Sequence, residues 1–313
     1  MKNKTPLYFG AAFLVLVVIF FATSMNPREN TAGAYRLFAN ERPDVDKIEF
    51  VSASGDSTII ERQSGVWNIV KPLQHKASEN AVQQALNMLI NTLVDGVVST
   101  LPESHSKYEV DEASGTKFKI YSSGKVLLDV FIGKNSIDFN HTYTRLAGSN
   151  DVTIWRNMFS SHVRRGVNEW RDKMIFTYNP DDVMEIRSES AGIQKTLARA
   201  DSVWVYTENG TEMPVVQQNV NDFSGLIASL RCDAFADEKD IPRAINGKPD
   251  TKVTFRVRNG DEQSFEIWSP GENDAGRYLV RTEEGGEIFR FYRYRGEMLG
   301  INYEKLQASA PQG

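Results

Sequence analysis

From Ala81 onward, apolar residues fall at Ala81, Val82, Ala85, Leu86, Leu89, Ile90, Leu93 and Val94. The i, i+1, i+4, i+5 recurrence draws one apolar stripe along a helix of about four turns. Ser78 offers its hydroxyl as the N-cap. Ahead of the helix, Val66, Trp67, Ile69 and Val70 read as a strand that Pro72 ends. Val45, Ile48 and Phe50, then Thr58, Ile59 and Ile60, read as two strands turning at Gly55-Asp56. Beyond the helix, strands are expected over residues 96–100, 116–121, 126–132, 141–146 and 151–156, and a further helix over 157–165.

The pattern then returns. Trp67 to Leu93 and Trp204 to Leu230 are both separations of 26 residues. At a shift of 137, Phe223, Leu226, Ile227 and Leu230 fall under Leu86, Leu89, Ile90 and Leu93, and Phe255 and Val257 fall under Phe118 and Ile120. Several strands and one main helix in each copy define an α+β class. The expected organisation is an anchor over 1–25, a linker over 26–43, a first α+β lobe over 44–180 and a second over 181–306, an internal repeat of the first. A polar tail over 307–313 follows. Each lobe is expected to be a mainly antiparallel sheet with one long amphipathic helix. Asn179-Pro180 marks the boundary, because the residue before proline is biased toward extended backbone. Trp67, Pro72, Leu86, Leu89, Trp204, Leu226 and Leu230 are the expected structural residues, with each indole sealed under its own helix.

Residues 7–22 contain no charge, and Lys2 and Lys4 precede them. That length is near the shortest spanning helices, for which ~17–25 residues are usual. Positive charge before the run predicts a cytoplasmic N-terminus and an extracytoplasmic bulk, on a single pass through the cytoplasmic membrane. A cleaved signal peptide is the competing expectation, since Ala22-Thr23-Ser24 offers small residues for cleavage.

The net charge of -5 and pI near 5.6 argue against a general nucleic-acid binder. Cys232 is the only cysteine, which excludes an internal disulfide or a multi-cysteine metal site. His75, His105, His141 and His162 are scattered without metal-ligand spacing. The run Asp233, Asp237, Glu238 and Asp240 lacks the spacing of a calcium loop. Nucleophile-elbow, P-loop and dinucleotide motifs do not occur, and the expectation is no catalytic residue, no cofactor and no metal.

Two stretches combine cations with aromatics. One is Arg164, Arg165, Trp170, Arg171 and Lys173; the other is Arg290, Tyr292, Arg293, Tyr294 and Arg295, around Phe291. Alternating arginine and aromatic describes a strand with one solvated face. It also describes a docking patch for an acidic partner, a polymer or lipid headgroups.

Gly65-x-Trp67-x-Ile69-x-x-Pro72, the amphipathic helix, Ser106-Lys107-Tyr108-Glu109-Val110-Asp111 and Trp170-Arg171-Asp172-Lys173 together resemble a bacterial envelope family catalogued as domain of unknown function 4340. The resemblance covers roughly residues 44–306 and implies a membrane segment followed by a duplicated α+β ectodomain. The chain departs from it at Glu109, where glycine is usual, at Val110, where leucine is, and at Ala113, where proline is. Some relatives are encoded beside gliding-motility-type ABC transporter parts, which implies an accessory role in an envelope assembly. The family brings no catalytic residues to transfer. The expected function is therefore a non-enzymatic, membrane-anchored accessory or scaffold protein with envelope or transporter proteins as partners. A ligand-binding module using the inter-lobe cleft is the alternative, and an extracytoplasmic hydrolase a further one.

Overall fold

The described residues build two antiparallel sheets, one on either side of a division between Arg171 and Asp172. A computed structural model of the chain describes residues 33–38, 43–237, 246–271, 276–282 and 286–307. The apolar run 7–22, residues 308–313 of the expected tail and two members of the acidic run, Glu238 and Asp240, lie outside those residues. Among the described residues no helix is long and apolar enough to cross a membrane.

The first unit contains β1 (Tyr35–Arg36), β2 (Lys47–Val51), β3 (Ser57–Gln63), β4 (Val66–Lys71), β5 (His75–Lys76), helix α1 (Glu79–Ile90), β6 (Leu93–Ser99), β7 (Thr116–Ser122), β8 (Lys125–Asn135), β9 (Thr142–Leu146), β10 (Val152–Trp155) and a short helix α2 (Phe159–Val163). The second contains β11 (Val183–Ser190), β12 (Ile193–Ala200), β13 (Val203–Glu208), β14 (Thr211–Met213), helix α3 (Gln217–Ala228), β15 (Ala234–Phe235), β16 (Thr251–Val257), β17 (Glu262–Trp268), β18 (Arg277–Arg281) and β19 (Ile288–Tyr292).

The first sheet runs β5-β4-β3-β2-β7-β8-β9-β10-β6-β1. The second runs β14-β13-β12-β11-β16-β17-β18-β19-β15. Nine strands of each sheet follow the same order, and only β1 lacks a strand counterpart in the second sheet, so the chain is one topology written twice. Single backbone bonds repeat as well. Leu37 N–H donates to Thr92 O at 3.0 Å, and Ile175 N–H donates to Leu230 O at 2.7 Å, a shift of 138. Arg36 pairs with Leu93, and Met174 bridges Arg231, at the same shift. Each unit therefore opens with an arm laid against the segment that follows its helix. Each also closes with an arm on the helix N-terminus: Ser78 N–H donates to Trp170 O at 2.7 Å, and Val216 N–H to Leu306 O at 2.9 Å.

These arms explain where the chain divides. Ile175, Phe176 and Tyr178 precede the expected boundary at Pro180, yet they pack into the second core; Phe176 meets Phe255 edge-on at 5.1 Å. Leu37 and Phe38 do the equivalent in the first unit, where a linker was expected and a short strand, Tyr35–Arg36, is found.

The helix stripe is real but shorter than its periodicity suggests. Ser78 Oγ accepts from Ala81 N–H at 3.3 Å, and Val82, Ala85, Leu86 and Leu89 are buried. The helix stops at Ile90 because Thr92 folds back: its N–H reaches Leu89 O at 3.1 Å and its hydroxyl reaches Met88 O at 2.8 Å. Leu93 and Val94 belong to β6, whose alternation continues the apolar pattern by coincidence of phase. In the second unit the helix registers at 138, not 137. Val220, Ser224, Ile227 and Ala228 are its buried residues. Leu226 is thus half-buried rather than central, and Leu230 is buried beyond the helix end.

Both tryptophans lie where the pattern places them. Trp67 and Trp204 are each 2% exposed and sit in cores with Val82, Leu86 and Leu89, and with Val220 and Ile227, respectively. Trp204 is further fixed by its indole N–H donating to Asn221 Oδ1 at 2.9 Å.

Candidate functional site

A groove of about 730 Å³ lies in the first unit. One wall is the loop of residues 52–56 that joins β2 to β3. The other is the Val163-Arg164-Arg165-Gly166-Val167 connection after α2. Lys71 and Pro72, at the end of β4, and Ser114 and Thr116, at the start of β7, form the floor.

The loop is ordered by its own side chains. Ser52 N–H donates to Asp56 O at 2.9 Å, Gly55 N–H donates to Ser52 O at 2.9 Å, and Ser54 Oγ donates to the Asp56 carboxylate at 2.6 Å. The second unit closes the equivalent hairpin with Ala191 and Gly192 alone, at φ of 50° and 80°. Two residues with positive φ make the tight turn favoured between antiparallel strands. The groove wall is therefore an elaboration of one copy, built from a longer loop.

Charge in the lining is unbalanced. Lys71, Arg164 and Arg165 face one carboxylate, Asp56, amid the hydroxyls of Ser52, Ser54, Ser57, Thr58, Ser114 and Thr116. Arg164 Nη1 donates to Glu109 Oε2 at 2.8 Å, and Arg165 Nε donates to Ser161 O at 3.2 Å. Burial, and then the neighbouring Arg165, push the His162 imidazole below its ordinary value, so it stays neutral near pH 7. A cation-rich, solvent-open groove with hydroxyls in its lining suits an anionic ligand.

The structure divides the first expected patch. Arg164 and Arg165 line the groove. Trp170 is 2% exposed and packs on Phe50 at 5.4 Å, and Arg171 is buried, so neither is presented to a partner. Their burial follows from the closing arm, which seals the helix N-terminus. Lys173 lies in the second unit, on its opening arm.

The second patch is only partly a strand. β19 ends at Tyr292, and Arg293, Tyr294 and Arg295 fall on a helical turn. Arg290 pairs with Asp237 at 2.9 Å and Arg295 with Asp233 at 2.5 Å, while Tyr292, Arg293 and Tyr294 are exposed.

Residues 67–246 match the family described as a domain of unknown function, DUF4340. The chain belongs to the DUF4340 family. No curated protein and no solved structure matches it. Glu109 of this DUF4340 chain adopts φ of 58°, the left-handed region that glycine enters without strain. Its carboxylate is the one that holds Arg164.

Two clusters in this DUF4340 chain escape sequence reasoning. The groove needed the two hairpins to be compared loop against loop: five residues in one copy, two in the other. The second cluster joins His141 to Asp138 (3.2 Å) and Asp95 (3.3 Å), with Arg156 also on Asp95. Both imidazole nitrogens are taken by carboxylates, so the ring straps the β8–β9 loop to β6 and offers no free nitrogen to a nucleophile. Among the described residues no group of three His, Cys, Asp or Glu side chains could hold a metal.

Proposed function

We propose that this DUF4340 chain is a non-enzymatic accessory protein of the bacterial envelope, tethered by residues 7–22 with both units outside the cytoplasmic membrane. The groove of its first unit holds an acidic, extended segment of a partner, with components of an ABC-type transporter as the leading partner class. The observation that carries this reading is the groove itself: Lys71, Arg164 and Arg165 against Asp56 in about 730 Å³ of open, hydroxyl-lined space. Solvent-exposed ion pairs contribute little one at a time, about 0–1 kcal/mol each. Several around one extended segment give a moderate, salt-sensitive grip of the kind a scaffold uses.

The test is photo-crosslinking in intact cells from a reactive amino acid at Ser54. The expected outcome is a discrete adduct with one envelope protein, identified by mass spectrometry, and its loss in the Lys71→Glu and Arg165→Glu variants. An adduct insensitive to both reversals, or none, overturns the groove reading. Carbonate extraction of membranes and the mass of the mature chain test the tether separately.

A further inference from the structure

The loop between β8 and β9 holds two large apolar side chains in water. Ile137 is 96% exposed and Phe139 is 64% exposed. Such a pair usually collapses onto the nearest surface, but this loop is braced against doing so. Ser136 N–H donates to His141 O at 2.9 Å, Phe139 N–H to Ser136 O at 3.0 Å, Asn140 N–H to Asp138 Oδ1 at 3.1 Å and His141 N–H to Ser136 Oγ at 3.1 Å. His141 then ties the loop to Asp95 on β6. A rigid loop that presents isoleucine and phenylalanine outward marks a contact site.

What it contacts follows from where the chain arrives. β6 is bordered by β1, and Val94, next to Asp95, pairs with Tyr35. The apolar run ends at Ala22, so only Thr23 to Ala32 separate it from the first described residue, Gly33. That stretch reaches at most ~36 Å when fully extended. The strand that receives the tether is therefore a neighbour of the strand to which the apolar tip is strapped. Tyr35 is half-exposed and Arg36 exposed on this edge, and Lys134 is exposed on β8, just before the tip. Tyrosine and cations are what an interfacial contact with anionic lipid uses.

We propose that the Ile137–Phe139 tip is a lipid contact, seated in the headgroup layer of the membrane that anchors the chain, where it fixes the orientation of the first unit. The inference rests on the tether proposed above. Asp138 lies between the two apolar residues, and its carboxylate is occupied by the Ser136 hydroxyl and the Asn140 amide. It stays charged, which limits the tip to a shallow position rather than insertion into hydrocarbon.

The full chain, reconstituted in phosphatidylglycerol–phosphatidylethanolamine vesicles, tests this with an environment-sensitive NBD label at Ile137→Cys. Cys232 is buried, so unsubstituted chain measures background labelling. Val126→Cys, exposed near the opposite end of β8, is the distal control. The expected result is a blue shift at position 137 and loss of its emission when shallow doxyl-labelled lipid is included, with neither change at position 126. If the chain floats with the vesicles but position 137 behaves like position 126, the lipid contact is overturned and the tether stands. If the chain does not float, the tether and the contact fall together.

Discussion

The Arg62 guanidinium lies 5.7 Å over the ring of Trp67, and that of Arg199 lies 5.1 Å over the ring of Trp204. Each pair sits directly opposite on adjacent strands, β3 with β4 and β12 with β13. Each arginine is also held by an aspartate 18 residues upstream: the Asp44 carboxylate meets Arg62 at 2.5 Å, and the Asp181 carbonyl meets Arg199 at 2.8 Å. The duplication has thus kept a three-residue device, in which an indole faces the core on one side and a cation on the other.

The indole and the guanidinium of that device should differ in cost. Trp67→Ala and Trp204→Ala each remove a fully buried indole and are expected to destabilise their own unit by about 3–5 kcal/mol. Arg62→Met keeps most of the aliphatic cover and loses the cation, so about 1 kcal/mol is expected. Urea unfolding followed by tryptophan fluorescence measures both. Equal losses from Arg62→Met and Trp67→Ala would contradict the assignment of the energy to the buried ring.

The opening arm predicts where the chain can be cut. A fragment starting at Asp172 keeps Ile175 N–H on Leu230 O and Phe176 on Phe255, and should fold. One starting at Asp181 lacks both and should be molten, or markedly less stable. In the full chain, Phe176→Ala should cost about 3–5 kcal/mol in the second unit alone. Amide exchange monitored by mass spectrometry distinguishes the units, and equal protection in the two fragments would refute the arm's role.

The duplication and the buried tryptophans were legible because Trp67 and Trp204 stand at equal distances ahead of equal apolar runs. The helix register was not. Leu226 and Leu230 match the spacing of Leu89 and Leu93, yet a one-residue offset makes Ile227 the buried partner, and period alone does not distinguish neighbouring apolar positions. The arms were hidden because Tyr35–Arg36 is too short to show alternation. Trp170 was misleading for a different reason: its flanking arginines suggest a surface, whereas the bond from Ser78 N–H to Trp170 O draws it inward. The groove has no motif at all. Its residues come from four separate segments, and only the unequal loop lengths of the two copies signal it.

Glu109 carries backbone strain that glycine would avoid. At φ of 58°, a side chain costs about 1–2 kcal/mol relative to glycine. Its exposed pair with Arg164 returns about 0–1 kcal/mol. Glu109→Gly should therefore be neutral to slightly stabilising, and Glu109→Ala should be the least stable of the three by about 1 kcal/mol or more below glycine. Thermal unfolding of the three proteins side by side checks the order. A glycine variant less stable than alanine would show that the left-handed conformation carries no penalty here.

Cys232 is fully buried, and burial pushes its thiol up to about 11. In the unfolded chain a cysteine titrates near ~8.5. The native state therefore holds the proton over the interval in which the unfolded state has lost it. The thiol's contribution to stability is complete below the unfolded value and is lost as pH rises through about 11. DTNB at pH 8 should leave the folded protein unmodified and titrate one thiol per chain in denaturant. Cys232→Ser is expected to flatten the alkaline arm of a melting-temperature profile between pH 8 and 11. Rapid native labelling would place the sulfur at the surface.

The last prediction exploits the repeat as its own control. Replacing residues 52–56 by the Ala-Gly turn of the second unit keeps the hairpin register, because Val51 and Ser57 pair as Ser190 and Ile193 do. A shorter loop lowers closure entropy by about 0.6 kcal/mol per halving, so stability should stay within about 1 kcal/mol of the parent. The groove loses a wall while Lys71, Arg164 and Arg165 remain. If the partner is held by an enclosing groove, the swap abolishes capture as completely as charge reversal does. If it is held only by diffuse attraction to the cations, the swap leaves capture and its salt dependence unchanged. Crosslinking from Ser114, which is half-buried in the lining and survives the swap, reads the difference.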